Sequence, residues 1–184
     1  MTSVREDRWV RVWDPFVRLF HWCLALSFAV AYFSANTWEN VHMWAGYAAG
    51  SLVLLRLVWG FIGTPYARFT HFVRSPGTIV AYLKAIASGS EARHVGHNPA
   101  GGAMIVALIL GMGFTAFTGY LLTTDAFWGD AMMQHVHNWS AHGLVILVGL
   151  HLVGVALASV RHRENLVHAM IVGRKRAAEA EDIA

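Results

Sequence analysis

The chain has 184 residues, of which 56% are hydrophobic and only 14% are Asp, Glu, Lys or Arg, whereas about one quarter of a typical soluble domain is charged. That much apolar side chain excludes intrinsic disorder, and a single cysteine, Cys23, excludes a disulfide scaffold. Eight Trp and a mean hydropathy of +0.45 mark an integral membrane protein.

In chain order, the basic residues Arg5, Arg8 and Arg11 lead into a first apolar stretch at residues 16–35, with Arg18 and His21 at its start. A basic flank before an apolar core is also the pattern of a secretory signal peptide. Tyr32-Phe33-Ser34-Ala35 is a poor cleavage site, however, so a retained helix is expected. The second stretch, 42–62, opens on His42 and carries Arg56 near its end. The connection that follows is long. Within it, Ser75-Pro76 reads as an N-cap and first helical residue, Ile79, Val80, Leu83 and Ile86 make an apolar face, and Gly89 ends the segment. Lys84 stands beside that face, which suits a helix lying on the inner membrane surface. The third and fourth stretches are 101–123 and 137–160. After them, Leu166, Val167, Met170 and Ile171 form another one-sided segment, and residues 177–184 read as a loose acidic tail behind a single domain at 1–176. Each stretch is close to the ~20 residues a helix needs to cross a bilayer, and helices are the form that pairs its own backbone in lipid. The expected fold is therefore an all-α, four-helix membrane bundle.

Charge sets the expected orientation. If the N-terminus is cytoplasmic, all fourteen Lys and Arg fall on that side: before or at the start of span one, late in or after span two, and after span four. The loops 36–41 and 124–136 hold only Glu39, Asp125 and Asp130. The positive-inside rule then puts both termini in the cytoplasm. The same asymmetry explains the pI of about 9.4 without nucleic acid as a partner.

Eleven histidines are present, and ionisable groups inside membrane helices are costly and usually functional. His137 and His151 are fourteen residues apart, which returns to within about 40° of the same helix face after a rise of roughly 21 Å. In antiparallel spans His151 reaches the depth of His21, and His137 that of His42. Any single histidine here could be an interhelical hydrogen-bonder. Two matched pairs, however, are what two six-coordinate haems b require, with imidazoles on both axial positions of each. Zinc or copper would need three or four ligands at one point. His142 is turned about 140° from His137 and 180° from His151, so it reads as packing or at most a quinone or proton contact; His135 lies before the span. His71, His94, His97, His162 and His168 read as cytoplasmic surface residues.

The glycines at 46, 50, 111, 113, 119, 143, 149 and 154 serve either close helix approach or room for a macrocycle. Arg18 and Arg56 are candidate partners for the inner haem's propionates, with snorkelling anchorage as the other reading, the weaker one for Arg56. Trp13, Trp22, Trp38, Trp44, Trp59, Trp128 and Trp139 mostly flank span ends, as interfacial belts do.

Several strings complete the picture: Val12-Trp13-Asp14-Pro15, Arg18-Leu19-Phe20-His21-Trp22, Arg56-Leu57-Val58-Trp59-Gly60-Phe61-Ile62-Gly63-Thr64, Ala67-Arg68-Phe69, Phe72-Val73-Arg74-Ser75-Pro76 and Arg161-His162-Arg163-Glu164-Asn165-Leu166-Val167. With the four histidines, they resemble the bacterial di-haem cytochrome b561 family, which includes the b-type subunits of nickel–iron hydrogenases. The resemblance implies His21, His42, His137 and His151 as iron ligands. It also implies a respiratory electron-transfer cytochrome of the bacterial inner membrane, linking a c-type cytochrome or hydrogenase subunits to the quinone pool, ubiquinone included. The family often has Glu after the ligand histidine that opens span four; Asn138 stands there instead. A superoxide:ubiquinone oxidoreductase acting alone is the alternative, weakened by outer loops without Lys or Arg. A haem-free membrane scaffold is the alternative of another class.

Overall fold

Helix starts in this chain are written locally. Asp14, Ser75, Asn98, Asp130 and Asn165 each accept a hydrogen bond from the backbone N–H three residues on, and Pro15, Pro76 and Pro99 take the first helical position behind three of them. The computed structural model describes residues 9–180, 182 and 183, so Arg5 and Arg8 of the basic N-terminal flank, and residues 181 and 184 of the tail, lie outside the described residues. In order, the elements are β1 (Trp9–Arg11), α1 (Pro15–Ser34), α2 (Glu39–Ile62), a 3-10 turn at Pro65–Ala67, α3 (Phe69–Phe72), α4 (Pro76–Ser88), α5 (Pro99–Leu122), α6 (Ala131–Arg161), α7 (Leu166–Val172) and β2 (Arg174–Arg176).

Four of the helices, α1, α2, α5 and α6, are long and apolar enough to span a bilayer. The fourth begins six residues before the expected 137, because Asp130 caps it. Gln134 and His135 make that turn more polar than the span behind it, yet a helical backbone pairs internally whatever side chains it carries.

The bundle packs in sequence, α1 on α2, α2 on α5 and α5 on α6. Its core joins Ala49 and Val53 of α2, Ile109 and Met112 of α5 and Leu144 of α6. The outward sides are the opposite of a soluble surface: Leu26, Leu54 and Leu110 are each 66% exposed and Ile146 65%. Such a surface is stable only against hydrocarbon. This is an integral membrane protein.

The amphipathic segment forms as expected, α4 ending at Gly89 in the left-handed conformation (φ 71°). It divides its apolar residues between two sides. Tyr82 is buried, whereas Val80 and Leu83 are each 50% exposed.

Beneath one end of the bundle the segments at Trp9–Arg11 and Arg174–Arg176 are clasped together. β1 pairs antiparallel with β2, Val10 opposite Lys175. Behind this short sheet, Arg93 meets Glu164 at 2.9 Å and also Asp182, Lys175 meets Glu164 at 3.3 Å, and Arg93 donates to the Arg176 carbonyl at 2.8 Å. Two described residues of the acidic tail take part in these contacts. Asp182 joins the ionic network, and Ile183 exchanges backbone hydrogen bonds with Arg93 and Val95 at 2.9 Å. Its composition carried no trace of partners almost ninety positions away in sequence.

Candidate functional site

The histidine pairs meet in space. The ring centroids of His42 and His137 are 6.0 Å apart, and those of His21 and His151 are 6.4 Å apart. A metal–imidazole bond is about 2 Å, so two such bonds on opposite sides of one metal, with the reach from each nitrogen to its ring centre, come to about 6 Å. Among the described residues no group of three or more His, Cys, Asp or Glu converges on one point; the imidazoles come in twos. The sites also fill a gap. α6 packs on α5 but has no comparable packing with α1 or α2, and the paired histidines bridge that space from either side.

Hydrogen bonds aim the rings. His42 Nδ1 lies 2.8 Å from the Ala31 carbonyl of α1. His137 Nδ1 lies 3.1 Å from the Thr115 carbonyl and 3.1 Å from Thr118 Oγ1, both on α5. A carbonyl only accepts, so in both rings Nδ1 carries the proton and Nε2 keeps a lone pair for a metal. At the other pair, His21 Nδ1 is buried with no partner among the described residues.

The glycines divide between the two uses. Gly50 serves close approach, since a Cβ there would stand 3.3 Å from the Ala116 Cβ, whereas around Gly46, one turn after His42, a Cβ would meet nothing within 4 Å. Gly119 is different again, because a Cβ there would come within 2.9 Å of His137 Cε1. Gly119→Ala is therefore expected to tilt the His137 ring away from α5. The reduced-minus-oxidised α-band should shift or weaken, while Gly113→Ala, whose Cβ would stand at an ordinary 3.5 Å from Val53, leaves it unchanged.

Arg56 is buried, 3% exposed, so it is not a snorkelling anchor. It donates through Nη2 to the Ala67 carbonyl at 2.9 Å, and its guanidinium lies 5.3 Å from the Phe69 ring centre and 6.0 Å from that of Phe72. Its Nη1 has no partner among the described residues, and a buried unpaired donor of this kind fits an anionic carboxylate. Arg18 bonds to the Ile171 carbonyl at the end of α7, and its Nε is likewise buried without a partner.

The remaining histidines separate. His142 bonds to the Asn138 carbonyl on its own helix at 2.7 Å, His135 lies in a groove between α5 and α6, and His71 and His168 are exposed as expected. His97 is half-buried, not a free surface residue. Its ring lies between Trp13, at 4.5 Å, and Phe72, at 4.8 Å, and burial, with the charges of Arg56 and Lys175, pushes its pKa down to about 3. The reading also passed over Thr115 and Thr118. The signal was present: two hydroxyl residues one turn apart in an otherwise apolar helix, at the depth where span four begins.

A bundle of four apolar helices that presents imidazoles in facing pairs across an internal gap is the architecture of a membrane-bound b-type cytochrome. Residues 12–173 match the model of the prokaryotic cytochrome b561 family, and the chain belongs to that family. It is an electron-transfer protein, and a b-type cytochrome carries haem b. The chain is 27% identical to a protein of Azotobacter chroococcum mcd 1 described as a probable Ni/Fe-hydrogenase B-type cytochrome subunit, over 93% of this chain and 90% of the relative. A counterpart from Rhodobacter capsulatus, described in the same words, is 23% identical over 95% of this chain and 84% of its own length. No solved structure matches the chain.

Proposed function

We propose that residues 1–176 form a conduit holding two haems b, one between His42 and His137 and one between His21 and His151. The reading rests on one observation: two imidazole pairs at 6.0 and 6.4 Å, set fourteen residues apart along α6 and so separated by roughly 21 Å of helix. When bound, haem supplies reversible one-electron chemistry. The chain does the rest. His21, His42, His137 and His151 would hold the two groups through their imidazoles, and the apolar helices keep water out. Arg56 Nη1 and Arg18 Nε offer charged donors to propionates on the His21–His151 side. The one-sided Lys and Arg distribution supports placing that side, with both termini, at the cytoplasmic face of the bacterial inner membrane.

The function follows as transfer of electrons between a redox partner and the quinone pool. The descriptions of its relatives as hydrogenase cytochrome subunits support a hydrogenase as that partner. His151→Ala tests the pairing. The purified variant is expected to keep the haem at His42–His137 and to lose the other, halving the haem-to-protein ratio; full retention of both would refute the pairing. Reduction of the wild-type haems by hydrogen and a hydrogenase, followed by reoxidation with a ubiquinone analogue, checks the route. No reoxidation by quinone would remove the quinone assignment.

A further inference from the structure

We infer that Thr118 is a positioning residue for His137, and that its hydroxyl lowers the reduction potential of the haem held at His42–His137. The inference rests on the two-haem reading above and goes beyond it.

Thr118 is 2% exposed near the C-terminal end of the apolar helix α5, a buried place where a hydroxyl is retained only if its polar atom is used. Its Oγ1 lies 3.1 Å from the Phe114 carbonyl and 3.0 Å from the Thr115 carbonyl. Those oxygens can only accept, so the hydroxyl gives them its single proton and presents a lone pair to His137 Nδ1 at 3.1 Å. The Thr115 carbonyl receives the same N–H at 3.1 Å. The Nδ1–H is therefore shared between two acceptors from one turn of α5, and the absence of a Cβ at Gly119 leaves room beside the ring's Cε1.

An imidazole that donates through its far nitrogen is held in orientation and gains basicity at the ligating one. A more basic axial ligand favours ferric over ferrous iron, so the potential falls. His21, in the other pair, has no comparable acceptor at its buried Nδ1. Changes at Thr118 should therefore reach one haem and spare its neighbour.

The test is a spectroscopic redox titration of the purified, haem-loaded protein and its variants, with His151→Ala as a background in which only the His42–His137 haem is read. In Thr118→Val the ferrous-to-ferric ratio of that haem at a given ambient potential is expected to rise about fivefold, the equivalent of one ordinary hydrogen bond, and the other haem to titrate as in wild type. Thr118→Ser, which keeps the hydroxyl, should restore the wild-type curve. Thr118→Ala removes the oxygen without adding bulk and provides the same reading if the valine variant does not assemble. An unmoved curve in both Val and Ala, an equal shift of both haems, or the same shift in Ser would overturn the inference. A wild type that contains a single haem would remove the two-site reading itself, and is seen before any variant is made.

Discussion

On the two-haem proposal, purified His137→Ala is expected to carry half the haem b of the wild type, and the haem it loses is the one held with His42. His137 is the only imidazole of α6 that faces His42, at 6.0 Å. No neighbour can replace it. His142 is committed to the Asn138 carbonyl at 2.7 Å, and His135 lines a groove between α5 and α6. His42 alone would hold the group through one imidazole instead of two, so the visible spectrum is expected to change even where some haem is retained. α6 would also lose its bridge across the gap to α2, since helix packing there is sparse. Haem extraction against protein concentration, with the visible spectrum, decides the outcome; an unchanged ratio with an unchanged spectrum would rule His137 out as a ligand.

Arg93→Ala is expected to destabilise the clasp beneath the bundle by about 3–5 kcal/mol, the usual consequence of removing one partner from a buried ionic group. Arg93 is 5% exposed, and the Glu164 and Asp182 side chains it holds are 8% and 9% exposed. Without it, Glu164 keeps only Lys175, at 3.3 Å, and the Arg176 backbone N–H, at 3.0 Å, among the described residues. The expected result is earlier release of the C-terminal segment to protease, with the haem spectrum retained, because the network is separate from the histidine pairs.

Acid should act on the same clasp. Burial by itself pushes the Glu164 carboxyl up, but the hydrogen bond from Arg93 and the charge of Lys175 outweigh it and hold the group below its ordinary 4.5. Its contribution is therefore complete above pH 4.5 and lost as pH falls through the depressed value. His97 adds to the same trend, since its folded value of about 3 against an ordinary 6.5 means that the unfolded state binds the extra proton throughout that interval. Resistance of the C-terminal segment to protease should fall as pH drops from 6.5 toward 3, and His97→Phe should flatten the upper part of that curve.

Much of this protein is determined by information local in sequence. Hydropathy over ~20-residue windows locates a span because each residue's transfer to lipid is nearly independent of its neighbours. Capping pairs such as Asp14-Pro15, Ser75-Pro76 and Asn98-Pro99 place helix starts because the hydrogen bond reaches only three residues. The facing of His21 with His151, and of His42 with His137, was also legible. A helix has a fixed rise and rotation and a bilayer forces antiparallel neighbours to share depths, so the membrane turns spacing into position. What tertiary structure alone decided is of another kind. The acceptors behind His137 come from α5, the burial of His97 depends on Trp13 and Phe72 from two other segments, and Arg93 finds its carboxylates at positions 164 and 182. A hydrogen bond or ion pair is specified by a distance of about 3 Å between particular atoms, and no periodicity in a single chain encodes which distant segment will supply the second atom.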